Sequence, residues 1–320
     1  MDATSLSNLN DQQRAAATHG DGPLLIIAGA GTGKTNTLAH RVAHLIAIGV
    51  NPARILLLTF TRRAASEMTK RVESIVARSA TQDFGELSRA ASQLQRLWGG
   101  TFHSIANRLL RLHSQSIGLG EAFTVVDRAD AEDLLNVVRS ELSLDKGDVR
   151  FPKKGTCLSI YSRCVNAQEP IEEALKTHFP WCSAYPEQLK QLFKAYVARK
   201  QQQNVLDYDD LLLYWFHLMQ DDAVAADVRK RFDAVLVDEY QDTNALQAQV
   251  LQRMRPDGKG LTVVGDDAQS IYSFRAATVH NILDFPRVFP NTTVLKLEQN
   301  YRSVQPILEA TNQVIALCPE

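Results

Sequence analysis

Leu24-Leu25-Ile26-Ile27-Ala28-Gly29-Ala30-Gly31-Thr32-Gly33-Lys34-Thr35 is an apolar run that breaks into a glycine-rich turn and then into a helical pattern. The apolar residues suit a strand buried on both faces, and the residues from Lys34 to Ile48 suit an amphipathic helix. Glycines between them let the backbone curl so that successive N–H groups point inward at an anion. Strand, loop and helix in that order form the context of a phosphate-binding P-loop. The helix N-terminus adds partial positive charge there. Lys34 then reaches the β- and γ-phosphates, and Thr35 offers its hydroxyl to magnesium. The general pattern opens with Gly, where this chain has Ala28. Two other readings compete: a turn with no ligand, and a dinucleotide fingerprint. The second needs G-x-G-x-x-G, whereas Gly33 comes one residue early and Lys-Thr follows.

Working outward, four more short apolar runs occur: Ile55 to Phe60, Ala234 to Val237, Leu261 to Val264 and Thr293 to Leu297. Each is too short for a helix and ends in a polar or glycine-rich turn, as strands of a covered parallel sheet do. A second crossover helix fits Arg63 to Ala77. The alternation predicts an α/β, doubly wound sheet. Between Ser104 and Leu206 the pattern turns helical, with amphipathic stretches at Asp130 to Leu142 and Pro186 to Gln203. That length is too great for a loop, so an inserted all-helical subdomain is expected. The stretch Arg78 to Gln95 reads as a mobile excursion or a helix extension.

A P-loop needs acids opposite it. Val235-Leu236-Val237-Asp238-Glu239 supplies two at the end of a strand. Asp238 would hold magnesium through water, and Glu239 would orient and deprotonate an attacking water. The alternative is that both merely cap the next helix.

Composition narrows the class. The 320 residues are 45% hydrophobic and 22% charged, which suits a globular chain with no bilayer-spanning run. The N-terminus lacks a signal-peptide core, so a cytoplasmic address is expected. A net charge of -1 argues against a histone-like binder and leaves any nucleic-acid contact to a local patch. Cys157, Cys164, Cys182 and Cys318 have no zinc-like spacing and read as reduced thiols.

Eight runs in order make the chain resemble the UvrD/Rep family of superfamily 1 DNA helicases. They are Leu9-Asn10-Asp11-Gln12-Gln13, the P-loop, Thr59 to Met68, Gly100 to Ser104, Leu206 to Leu211, and Asp238-Glu239-Tyr240-Gln241-Asp242 followed by Val264 to Arg275. Gln299-Asn300-Tyr301-Arg302-Ser303 closes the series. The family also commonly has Ala at the position of Ala28. The resemblance implies a RecA-like P-loop NTPase domain formed by residues 1–103 and 207–302, an insertion at 104–206, and the start of a truncated second motor domain at 303–320. It implies ATP and Mg2+ as ligands, and 3′-to-5′ activity on single-stranded DNA or a single/double-strand junction, with the missing second motor domain as partner. Lys34, Glu239, Gln269 and Arg302 are the implied catalytic set. Gln269 would sense the γ-phosphate, and Arg302 would act as an arginine finger. Gln13, Ala28, Gly29, Ala30, Gly31, Thr32, Gly33, Lys34, Thr35, Arg71 and Tyr301 would hold the nucleotide, with Thr35 and Asp238 on the metal. Asn36 stands where many relatives have arginine, which departs at one base-side contact.

Aromatic residues beside hydroxyl or basic ones suit a single strand, because ring faces stack bases without regard to sequence. The implied contacts are Thr59, Phe60, Thr61, Thr101, Phe102, His103, Tyr272, Phe274 and Arg275. Phe274 replaces the family's frequent tryptophan. Phe60 taken alone reads more readily as strand core, and His103 equally as a local hydrogen-bonder. Leu206 to Leu211 reads as structural, and the Arg62, Arg63, Lys70 and Arg71 cluster as phosphate contact or solvated face. With one motor domain the chain is expected to bind nucleotide, hydrolyse it slowly or undetectably, and not unwind DNA. The alternative reading is a nucleotide-gated DNA-binding module without turnover; a small-molecule kinase is more distant.

Overall fold

The computed structural model describes residues 6–79, 94–120, 122–145, 151–271 and 276–317. The expected strands form, with small adjustments at their ends. Helix α1 (Asp11–Ala17) precedes β1 (Leu24–Ala28), α2 (Lys34–Ala47), β2 (Ile55–Thr59) and α3 (Arg62–Ser79). Phe60 falls just outside β2. Next come β3 (Trp98–Thr101), α4 (Phe102–Leu112), β4 (Thr124–Val125), α5 (Arg128–Glu141), α6 (Lys154–Ala167), α7 (Ile171–His178) and α8 (Pro186–Gln203). Then follow β5 (Val205–Leu206), α9 (Tyr208–Leu218), α10 (Asp222–Arg231), β6 (Ala234–Val237), α11 (Ala245–Met254), β7 (Leu261–Gly265) and β8 (Thr293–Leu297). Residues 80–93, within the stretch read as an excursion, lie outside the described residues.

Six strands join in the order β3-β2-β6-β7-β1-β8, and every pairing is parallel. Successive residues of each strand point to opposite faces and sort into two cores. Leu25, Leu56, Leu58, Val235, Val237, Leu261 and Val263 meet the helices on one side. Leu24, Ile26, Ile55, Leu57, Leu236 and Val264 meet α2 and α3 on the other. Full burial on both faces explains why these strands read as unbroken apolar runs. Edge strand β8 alternates between more and less exposed residues instead.

Strand β3 was not expected. Its sequence, Trp98-Gly99-Gly100-Thr101, lacks an apolar run because helices crowd it. A Cβ on Gly99 would lie 3.1 Å from Thr69 Oγ1, and one on Gly100 only 2.4 Å from Ser104 Oγ. Glycine is there to admit the neighbours.

The helical stretch also differs from expectation, since it is not all helical. Strands β4 and β5 pair in parallel where the chain leaves and returns. Two residues each are too few to leave a pattern. Helices α5 to α8 build a third core around Leu135, Cys157, Ile160, Leu189 and Tyr196. Helix α4 and Phe123 instead pack with the sheet, through Phe102, Ile105 and Leu109. Packing therefore changes core after Phe123, not at Ser104.

Because all six strands run in one direction, the loops after β1, β2, β3, β6, β7 and β8 emerge along one edge. Parallel α/β sheets present their ligand sites at this carboxyl edge.

Candidate nucleotide site and strand-end groove

The loop after β1 closes on itself. Gly31 and Gly33 have φ of +82° and +86°, a left-handed conformation that side-chain-bearing residues rarely adopt. Thr32 Oγ1 donates to Gly29 O at 2.8 Å. Gly33 stands at the N-cap of α2 with no side chain to bond the first helical N–H groups. Those donors face the loop and suit an anion.

Two neighbouring segments brace the loop. Gln13 is buried, donates through Nε2 to Thr32 O at 2.9 Å, and accepts from Asn10 N as half of a capping box. A Cβ on Gly33 would lie 2.7 Å from that Gln13 nitrogen, so the brace itself demands glycine. From the far side, Asn300 Nδ2 donates to Ala30 O at 2.6 Å and Tyr301 N to Gly31 O at 2.9 Å. The Tyr301 hydroxyl bonds Asn10 Nδ2 and Gln299 Oε1, each at 2.9 Å, while its ring remains exposed. Arg302 is exposed beside Gly31. Arg71 is exposed on α3 and makes no hydrogen bond to the loop.

The acids after β6 approach from the other side. Lys34 Nζ donates to Glu239 Oε2 at 2.9 Å, with the lysine side chain 9% and the glutamate 34% exposed. Gln241 Nε2 donates to the same oxygen at 2.9 Å, while its Oε1 accepts from Asp266 N at the end of β7. Asp266 in turn accepts from Gln269 Nε2. Glu239 has φ +50°, a strained setting for a residue with a side chain. Asp238 is buried, and burial, with the Glu239 charge, pushes its carboxyl up to about 7 against the pull of Lys34. Asp242, buried with its Oδ1 unpartnered, is pushed up to about 6 by burial and then by Glu239. Such a recess asks for a cation, and Thr35 stands at the first turn of α2 to share it. The donor set fits a magnesium-bound polyphosphate.

The segments after β2 and β3 are only partly as expected. Thr59 is 1% exposed and donates to Thr61 O, and Phe102 is 5% exposed with its ring 6.2 Å from that of Trp215. Both are interior residues, with little side-chain surface open to a ligand. The backbone direction at each strand end turns these side chains inward. Thr61 is exposed and accepts from Ala64 N at the start of α3, and Thr101 accepts from Ser104 N as the N-cap of α4. Phe60 is half-buried, and half-buried His103 sets its ring edge-on to Tyr208 at 5.9 Å. A groove of about 520 Å³ runs between α3 and β3, lined by Arg62, Lys70, Gly99, Gly100, Thr101 and Ser104 among others. Tyr272, Phe274 and Arg275 lie outside the described residues.

The glycine-rich loop, the facing acids and the groove all lie along one sheet edge. The UvrD/REP helicase N-terminal domain family matches residues 9–290. The chain belongs to that family. It is 37% identical to the ATP-dependent DNA helicase PcrA of Leuconostoc citreum, over 98% of this chain and 40% of the relative. PcrA of Bacillus subtilis is 37% identical over 97% of this chain and 40% of its own length. UvrD1 of Mycobacterium tuberculosis is 39% identical over 97% and 39%. The chain thus spans about two-fifths of the length of these relatives. Among the described residues, no helix is long and apolar enough to cross a membrane.

Within this UvrD/REP domain, several site residues escaped the sequence reading. Gln241, Asp266 and Asn300 were visible inside the motif runs, but nothing local indicated their reach. Gln241 ties the end of β6 to the end of β7, and a Cβ on Gly265 would lie 2.6 Å from its Oε1. Asn300 clamps the loop. Cys157 and Cys182 are buried free thiols, and burial pushes Cys157 up to about 12.

Proposed function

We propose that this chain is the ATP-binding motor domain of a superfamily 1 DNA helicase, coupling magnesium-dependent ATP hydrolysis to contact with single-stranded DNA. The observation that carries this reading is the 2.9 Å contact between Lys34 of the loop and Glu239 of the acid pair. A lysine after a glycine-rich loop, one hydrogen bond from a carboxylate at the sheet edge, is the pair that phosphate binding and general-base chemistry would need.

In this reading the triphosphate takes Lys34 away from Glu239. The α2 amides and Lys34 then bind its oxygens, and Thr35 and Asp238 hold Mg2+, which when bound neutralises charge on the phosphates. Freed Glu239, still oriented by Gln241, accepts the proton of the attacking water. Gln269, tied to Asp266, would sense the γ-phosphate. Arg302, exposed beside Gly31, is the finger, a role worth on the order of a thousandfold or more in related NTPases. Tyr301 offers an exposed ring to the base, and Gln13 sets the loop against α1. Arg71 reaches the nucleotide only if its side chain swings from the solvent face of α3. The groove beside β3, with Arg62 and Lys70, is suited to a strand's phosphates, and Thr61, Phe60 and His103 flank it.

Phosphate release by the chain, with and without oligothymidylate, tests this against Lys34→Ala and Glu239→Gln. Stimulated release in wild type that both substitutions abolish supports it. A chain that binds no ATP at all sinks it. ATP-dependent change in DNA affinity without hydrolysis would identify a gated binding module instead.

A further inference from the structure

A chain of polar contacts leaves the acid pair and ends beside the DNA groove by way of the helical insertion. It begins at the strained Glu239. Asp242 N donates to Glu239 O at 3.0 Å, and Thr243 bonds Tyr240 O through both its N–H and its hydroxyl. The next residue, Asn244, caps α11 reciprocally with Gln247. Its side-chain Nδ2 donates to Asn166 Oδ1, on α6 of the insertion, at 2.8 Å. Asn166 Nδ2 then donates to Asp209 Oδ1 at 2.6 Å, and that oxygen also accepts from Ser162 Oγ at 3.0 Å. Asp209 opens α9 next to Tyr208, whose ring meets His103 edge-on. Asn166 and Asn244 are 8% and 7% exposed, so water offers little alternative partnership.

Resting on the function proposed above, we propose that Asn166 is a positioning residue that couples nucleotide occupancy at Glu239 to the His103 side of the DNA groove, through Asn244 and Asp209. The element with two arrangements is the Lys34–Glu239 contact. A triphosphate claims Lys34, which releases Glu239, the one positive-φ residue of the 239–243 turn, and lets that turn shift. Asn244 is fixed to that segment on one side and to the α11 cap on the other, so its amide carries the shift. Asn166 has a single oxygen for Asn244 and a nitrogen already committed to Asp209 and Ser162. A shift of one bond therefore changes the other. This route shares Glu239 and the 239–243 turn with the Gln241–Asp266–Gln269 link but diverges from it at Asn244, which reaches the insertion.

The test uses the full chain, a fluorescein-labelled oligothymidylate and a magnesium-loaded non-hydrolysable ATP analogue. The ratio of DNA affinities with and without analogue is the coupling factor, expected to be about fivefold or more in wild type. Asn166→Ala is expected to leave each separate affinity within about twofold while the factor falls toward one. Asn166→Asp should do the same, because its carboxylate faces Asp209. Adding Asp209→Asn to it restores one donor and one acceptor across the contact, and the factor should return. A merely structural contact would move thermal stability and both affinities together, with no recovery of coupling in the pair. Retained coupling in Asn166→Ala, or a wild type that binds both ligands independently, overturns the relay. A wild type that binds no nucleotide overturns the proposed function itself.

Discussion

Among the described residues two buried lysines meet carboxylates, and the difference between them separates the proposed nucleotide site from scaffold. Lys200 on α8 is 2% exposed and bonds Asp207 and Asp210 at 2.7 Å each. It also lies 4.3 Å from the Tyr196 ring, and Tyr196 donates to Asp207. The Tyr161 hydroxyl accepts from the same ammonium at 3.3 Å as a third partner, and the two aspartates form the capping box of α9. Lys34 has one carboxylate, and that carboxylate is one-third exposed. Around it stand helix amides without side-chain caps and an unpartnered Asp242 oxygen. Saturation marks the Lys200 cluster as a joint between the insertion and the sheet. Unspent bonding capacity marks Lys34 as a place for a ligand.

The sharpest way to break that contrast is to remove each lysine. Lys200→Met strands two buried carboxylates and should lower folding stability by about 3–5 kcal/mol in urea melts. Lys34→Met should cost about 1 kcal/mol or less, because Glu239 can turn to water. Equal losses would erase the distinction. On the activity side, Glu239→Gln should reduce single-turnover phosphate release by about a hundredfold or more while nucleotide binding persists. Undiminished release would remove Glu239 as the base.

Protons sharpen the comparison further. Asp238, held near 7 by burial, must lose its proton to take a metal ion. Affinity for magnesium-nucleotide should therefore weaken as pH falls, by up to about tenfold per unit below 7. Calorimetry from about pH 8 to about pH 6 reads this, and a flat profile contradicts the metal role. The scaffold has the opposite sign. Asp210 is pushed up to about 7 by burial and then by Asp207, against Lys200. The folded state thus holds that proton more tightly than the unfolded chain. Its stabilisation is complete below about pH 4 and is lost as pH rises toward 7. Asp210→Asn should flatten that decline and shift stability by only about 1 kcal/mol, since Lys200 keeps Asp207. A decline that survives the substitution assigns the proton elsewhere.

The sheet strands of the buried interior and the glycine turn after β1 were legible in the sequence alone. Both are written locally: a strand covered on both faces needs an unbroken apolar run, and a left-handed turn needs glycine. The same locality explains the misses. Strand β3 is glycine because α3 and Ser104 press on it, and β4 and β5 are too short to carry a pattern. Tertiary structure alone decided which polar groups meet. Lys34 and Glu239 are 205 positions apart, and Asn166 and Asn244 are 78 apart. It also turned Thr59 and Phe102 inward, although their motif looks like a surface for DNA. Side-chain direction at a strand's end depends on what packs over that end, and the packing partner, Trp215 for Phe102, lies more than a hundred residues further along the chain.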